Sequence, residues 1–426
     1  MNPPANYQQA IDRERHIYAD CLDVHELPPA FHYWSNRHLL PKLRAQGINS
    51  PDELFLKVLC RQCERNAQNR FISIGAGNGD LELKLAKDLV RRGHRDFVIE
   101  CLDLNQDMLR RGRLAAEGAA LSPNLEFVQA DFNEWRAEGS YDAVLANQSL
   151  HHVLNLEGLF SEIAASLKPA GAFVISDMIG RNGHLRWPEA LRIVHEFWRQ
   201  LPPTYRFNQK LGGYEEMFQD WDCSVEGFEG VRAQDILPLL VEHFHFRTFI
   251  PFGNLIDPFV DRSFGHHFDV NSGWDRDFLD RVHERDEREM AAGHLTPTHL
   301  LAVMTCEPEP GSIDPAVIRQ AIRPPERAAP TDLDQNSSPY DWSAFPHALA
   351  GQLETVCRSF QETETGRLLR ERTLWAQSLQ ADLHEVTAHA KRWENESHQR
   401  TQWARDLEQV AAERTAWATE LEQQLE

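Results

Sequence analysis

Between Phe71 and Thr305 short apolar runs alternate with stretches of helical periodicity, and few architectures accept that order. Phe71–Ile74, Phe97–Leu102, Leu125–Val128, Tyr141–Ala146 and Ala172–Ser176 read as strands. Between them Leu81, Leu85 and Leu89 recur at every fourth position, with Ala86 and Val90 beside them. Leu156, Leu159, Phe160, Ile163, Ala164 and Leu167 mark a second helical face. Strands that alternate with helices in this way predict an α/β fold, a parallel sheet covered on both faces. Two further runs, Phe244–Ile250 and His299–Thr305, come late, and a polar helical stretch over Asp275–Ala292 separates them.

The flanks have other characters. Residues 1–66 read as a helical N-terminal cap, with one helix opening at Ser50, where Glu53 and Pro51 suit a capping box and a first helical position. Phe31, Tyr33 and Trp34 sit there among polar residues, as core or as a substrate-facing wall. Residues 307–347 hold eight prolines and predict a linker without fixed structure after a domain over 67–306. Residues 348–426 predict a long helix, in which Trp375, Trp403 and Trp417 fall at multiples of seven, each followed by a leucine four residues on. That seam suits a coiled coil and hence a homo-oligomer, although Asp382, Glu396, Arg400 and Arg414 intrude on it; a solvated helix or one docking on another protein is the alternative.

A chain of 426 residues is expected to hold more than one folding unit. With 65 acidic against 44 basic residues its formal net charge is -21, which disfavours nucleic acid and anionic bilayers as partners. No apolar run is long enough for a membrane span, and Met1–Asp20 has no signal-like core. Seven scattered cysteines fit a reducing, cytoplasmic location. Cys60 and Cys63 form a lone pair with no second pair to complete a zinc site, and the neighbours His266 and His267 are wrongly spaced for a shared helical ligand face. No metal site is expected.

The chemistry is expected just after the first strand, where Phe71-Ile72-Ser73-Ile74 runs into Gly75-Ala76-Gly77-Asn78-Gly79 and then a helix. A glycine loop at the C-terminal end of the first strand is where an open parallel sheet binds its ligand. A dinucleotide fingerprint needs its third glycine at position 80, which is Asp80, and an acid at a helix start is a poor host for pyrophosphate. S-adenosylmethionine (SAM) carries no phosphate, so the loop favours SAM over NAD. Asp103, at the end of the second strand, is placed to accept from ribose hydroxyls, or else it is a plain helix-start acid. Asp131 and Phe132, after the third strand, suit an adenine ring or an ordinary turn with a core phenylalanine.

The ordered series Ile74–Gly79, Leu102-Asp103-Leu104, Ala130-Asp131, Tyr141–Val144, Leu150-His151-His152-Val153 and Leu167–Gly171 resembles the class I SAM-dependent methyltransferases, more narrowly their small-molecule branch. The resemblance spans about residues 67–306 and implies a Rossmann-like, seven-stranded sheet whose last strand is antiparallel. It places Gly75, Ala76, Gly77 and Gly79 at the methionine end of SAM, Asp103 and Leu104 at the ribose, and Asp131 and Phe132 at the adenine. Asn147 falls near the transferable methyl group. One position departs from the pattern: the acid usual two residues before the first glycine is Ser73.

Methyl transfer from a sulfonium needs proximity and alignment, with a base only where the acceptor must lose a proton. His151 and His152, where the acceptor should enter, are candidate catalytic residues, with a structural role as the other reading. An aromatic insertion over 181–242 is expected to roof the acceptor site or to form a helical subdomain core. The reading is thus a methyltransferase for a small polar organic acceptor, a glycan or sugar-linked metabolite among the choices. Its rivals are an oligomerising scaffold with a degenerate methyltransferase domain and an NAD(P)-dependent oxidoreductase.

Overall fold

The computed structural model of the protein describes residues 27–225 and 227–324, together with Tyr7 and Ile11. The N-terminal part comprises α1 (Pro29–Trp34), a π-helical turn over Ser35–Leu39, α2 (Leu40–Ala45) and α3 (Pro51–Arg65). Ser50 caps α3 by accepting from the Glu53 backbone N–H at 3.2 Å, and Glu53 reaches back to Asn49 N–H at 2.6 Å, one residue earlier than a regular capping box. Trp34 is buried against Phe252, and Phe31 and Tyr33 are half-buried, so the core reading holds for Trp34. These helices share one hydrophobic core with the sheet, since Trp34, Leu43, Phe55 and Leu59 cluster with Phe71, Leu85 and Val174.

The alternating region follows as β1 (Asn69–Ile74), α4 (Asp80–Arg91), β2 (Phe97–Asp103), α5 (Gln106–Gly118), β3 (Leu125–Gln129), β4 (Tyr141–Asn147), α6 (Leu156–Ser166) and β5 (Leu167–Met178). Next come α7 (Pro188–Trp198), a small ribbon of β6 (Phe207–Asn208) and β7 (Gly213–Tyr214), and α8 (Ala233–His243). The chain continues through β8 (His245–Phe252), α9 (Asp257–Val260), α10 (Gly273–Ala291), β9 (His299–Thr305) and α11 (Pro315–Arg319).

Seven strands form one sheet in the order β3-β2-β1-β4-β5-β9-β8. All neighbours are parallel except β9, which runs antiparallel to both β5 and β8. The period of two sends Phe71 and Leu145 to one face and Ile72, Ile74, Val144 and Ala146 to the other, which explains the continuous apolar runs. Asp142 ties three strand starts together: it accepts from Arg70 N–H at 2.8 Å, from Asn66 Nδ2 at 2.9 Å and from Lys168 Nζ at 2.7 Å. Strand order reverses between β1 and β4, so a ligand belongs beyond the C-terminal ends of those two strands.

The insertion answers the question about its aromatic residues one by one. Trp198 is fully buried, with Phe264 edge-on at 4.8 Å, whereas Tyr214 and Trp221 are exposed. Residues 307–324, expected as the start of an unstructured linker, instead pack on the edge strand β8. Ile313 N–H donates to Phe246 O at 2.8 Å, Ile318 is 1% exposed, and the Arg323 guanidinium lies 4.3 Å from the Trp187 ring centre. Ile313 and Ile318 outweigh the prolines around them, so the packed chain runs past 306 to at least 324. The Trp-repeat helix and the rest of the linker lie outside the described residues. Among the described residues no helix is long and apolar enough to cross a membrane.

Candidate active site

The loop after β1 has all three glycines in the left-handed region, with φ of 73° at Gly75, 57° at Gly77 and 74° at Gly79. A Cβ at Gly75 would lie 2.4 Å from Ser149 Cβ, and one at Gly79 would lie 2.8 Å from the Phe127 ring. Ala76 N–H donates to Leu102 O at 2.8 Å, which fixes the loop to the end of β2. Asp103 accepts from Gly77 N–H and Asn105 N–H, both at 2.8 Å. A carboxylate offers about four acceptor directions, so bracing the loop and meeting ribose hydroxyls are compatible roles. Leu104 beside it is half-buried.

Ser73, the position without its usual acid, donates to Glu82 Oε1 at 2.6 Å. Glu82 comes from the first turn of α4 and is fully enclosed; burial pushes its carboxyl up to about 7. The chain therefore keeps a carboxyl group beneath the loop, supplied from the helix. Its signal in the sequence is Glu82 standing in the buried stripe with Leu85, Ala86 and Leu89.

At the other expected cofactor end, Asp131 accepts from the Tyr7 hydroxyl at 2.6 Å and from Asn133 N–H at 3.0 Å. Burial and the Asp131 carboxylate keep the Tyr7 phenol protonated far above the usual range. The Tyr7 ring also lies 5.7 Å from Phe228 of the insertion. Tyr7 thus meets Asp131, which nothing in the sequence indicates. Phe132 is half-buried and packs against the core on the α6 side.

The loop after β4 abuts the glycine loop. Asn147 ends the strand half-buried, and the Ser149 hydroxyl donates to Ile74 O at 2.6 Å. Asp177, near the end of β5, accepts from Ser149 N–H and Leu150 N–H at 2.9 and 2.8 Å, and from Met178 N–H at 2.8 Å. It also binds His151 Nδ1 at 2.6 Å. Burial pushes the Asp177 carboxyl up, but His151 and the backbone N–H groups outweigh it and hold it below its usual value. Burial likewise pushes His151 down, and Asp177 with Glu229 overcomes that and raises it to about 10.

Two residues of the insertion, unforeseen from the sequence, complete the cluster. Glu229 lies 3.6 Å from His151 Nε2, 3.4 Å from His152 Nε2 and 2.8 Å from His184 Nε2. Burial opposes ionisation of Glu229, yet the three imidazoles hold it far below the usual carboxylate range. Burial itself lowers His184, with Glu229 opposing. His266 and His267 lie elsewhere, with His267 Nε2 on Phe207 O at 2.7 Å. Cys60 and Cys63 are half-buried, and burial pushes the Cys63 thiol up to about 12, as expected of an inert thiol.

Residues 71–171 match the sequence profile of the methyltransferase domain family. A sterol 24-C-methyltransferase (ERG6B) of Gibberella zeae is 38% identical over 79 residues, 18% of this chain and 21% of that protein. A ubiquinone/menaquinone biosynthesis C-methyltransferase (UbiE) of Brucella anthropi is 32% identical over 104 residues, 24% of this chain and 38% of that protein. The UbiE protein of Rickettsia felis is 28% identical over 184 residues, 42% of this chain and 68% of that protein. The chain thus spans about a fifth and two fifths of the length of the first two relatives. Among solved structures, an O-methyltransferase from a trans-AT PKS multienzyme of Brevibacillus brevis, in complex with S-adenosyl-L-homocysteine, is 12% identical with a TM-score of 0.38, covering 70% of this chain and 89% of that one. The matched segment lies inside a seven-stranded sheet with an antiparallel last strand, as the resemblance implied, and residues 71–171 carry a methyltransferase-domain sequence.

Proposed function

We propose that the chain binds SAM beyond the ends of β1 and β2 and transfers its methyl group to a small polar organic acceptor held beyond β4 and β5. The observation that carries this reading is the contact between the two loops: the peptide bearing His151 and His152 leans on Gly75 through Ser149. Cofactor and acceptor groups are thereby held side by side, which is the proximity an in-line displacement needs. Gly75, Ala76, Gly77 and Gly79 serve the methionine end, Asp103 and Leu104 the ribose, Asp131 and Phe132 the adenine, and Asn147 the methyl group. His151 and His152, with Glu229, serve the acceptor. A sugar-linked metabolite suits the charged, aromatic insertion above them; the relatives named above are C-methyltransferases of other acceptors.

The bond from Ser73 to the buried Glu82 braces the end of β1 against α4, which favours an intact glycine loop over a degenerate one. Asp80 at the first position of α4 speaks against a dinucleotide. Calorimetry should show SAM or S-adenosylhomocysteine binding and no NAD binding. Asp103→Ala should weaken SAM binding by about 1.5–3 kcal/mol, the scale of hydrogen bonds to a charged group. Equal affinity in the variant removes Asp103 from the site, and tight NAD binding overturns the function. Mass spectrometry of acceptor pools, read as the gain of one methylene, then identifies the substrate.

A further inference from the structure

We propose that His151, His152 and Glu229 form a binding site for a divalent transition-metal ion of the zinc class, held at the acceptor side of the methyl-transfer site. Their donor atoms come from two remote stretches of chain and all lie within 4.8 Å of one another. Of the three imidazoles around Glu229, that of His184 is at hydrogen-bond distance, 2.8 Å, and the other two stand further off. Charge-assisted N–H···O bonds close to about 2.7–2.9 Å. Glu229 stands at 3.6 and 3.4 Å from the two Nε2 atoms, too long for such bonds. Around an ion with bonds of about 2.0–2.2 Å, tetrahedral geometry sets neighbouring donors about 3.4 Å apart, close to the two imidazole–carboxylate spacings, 3.6 Å to Oε1 and 3.4 Å to Oε2.

The surroundings are those of a ligand set. His151 gives Nδ1 to Asp177, and three backbone N–H groups fix Asp177 in turn, so the ring presents Nε2 to Glu229. A carboxylate behind a ligating imidazole fixes its tautomer and raises its basicity. His184 Nε2 holds Glu229 Oε1, the oxygen that faces His151, at 2.8 Å. Gln148 and His184 both have φ near 55°, an unfavourable conformation for residues with a side chain, and each flanks one half of the cluster. Two imidazoles and one carboxylate suit zinc or ferrous ions better than magnesium or calcium, which take all-oxygen sets.

The role of the ion rests on the proposed function; its binding does not. Three protein donors leave a coordination position for an acceptor hydroxyl, whose proton passes to solvent when the oxygen binds. That oxygen then takes the methyl group as the sulfonium–carbon bond breaks and S-adenosylhomocysteine leaves. The ion thereby selects hydroxyl-bearing acceptors and O-methylation.

The test uses the full chain after chelator treatment, titrated with Zn2+ by calorimetry and with Co2+ by visible absorption. One ion per chain is expected, with affinity falling at least tenfold in Glu229→Gln and in His152→Ala, and about 10–100-fold in Asp177→Asn. Cys60→Ser should leave binding unchanged. Circular dichroism and a melting curve confirm that each variant is folded, and SAM binding is measured on the same samples. Binding of SAM without binding of Zn2+ at tens of micromolar overturns the metal site and leaves the methyltransferase reading standing. Zn2+ affinity unchanged in both Glu229→Gln and His152→Ala also overturns it, by assigning the ion to other residues. Zn2+ bound as expected without SAM overturns the function instead.

Discussion

Ser73 and Glu82 place a carboxyl group close to where the family resemblance puts an acid, but in an enclosed site. The family resemblance puts an acid at residue 73, and the chain has a serine there whose hydroxyl meets a glutamic acid nine residues on. The enclosure of Glu82 has a consequence for stability. Its carboxyl is raised from 4.5 to about 7, so the unfolded chain ionises it first. Its contribution to stability is full below pH about 4.5, is lost as pH rises through about 7, and stays constant beyond. A shift of that size corresponds to roughly 3 kcal/mol. Glu82→Gln keeps an acceptor for Ser73 and cannot ionise, so its urea-unfolding stability should lose that much less than wild type between pH 4.5 and 7.5. Parallel pH profiles for the two proteins would show that Glu82 does not titrate there.

At the scale of elements, strands and loops differ in how far the sequence reveals them. The sheet strands are visible as apolar runs, most plainly the central β1 and β4, because strands buried on both faces need apolar residues at nearly every position, as Phe71–Ile74 and Ala143–Ala146 show. The glycine loop is equally plain, since only glycine takes those φ angles cheaply. Glu229, His184 and Tyr7 are not legible: they meet the β4 and β3 loops across separations of 78, 33 and 124 residues, and no local pattern encodes such meetings. The contact of Gly75 with Ser149 joins two loops that are each legible, and no local pattern encodes their meeting. Gly75→Ala should destabilise the fold by about 1–3 kcal/mol, from left-handed strain and from the clash with Ser149 Cβ. Ser149→Gly removes the clash and leaves the strain, so the double variant should be less damaged than the sum of the two singles. Strict additivity in unfolding measurements would mean that the two loops are not in contact.

At the scale of the whole molecule, the catalytic unit extends further along the chain than its composition suggests. The prolines after Thr305 point to an early stop, but Ile313, Ile318 and Arg323 bind residues 307–324 to β8 and to the insertion. Burying one such isoleucine contributes about 1.5–3 kcal/mol, so a chain ending at residue 306 should melt several degrees lower than one ending at residue 324. The longer of the two retains every residue proposed for SAM and for the acceptor, and should bind SAM as the full chain does. Beyond it the Trp–Leu repeats at Trp375, Trp403 and Trp417 fall outside the described residues. Their heptad spacing would leave large apolar groups in water on a lone helix, and pairing two such helices removes them from it. Light scattering at tens of micromolar should therefore find the full chain associated and the chain ending at residue 324 monomeric, with equal SAM affinity in both. A monomeric full chain would reassign the repeat to docking on a different protein. Loss of SAM binding in the shorter chain would show that residues beyond 324 belong to the catalytic unit.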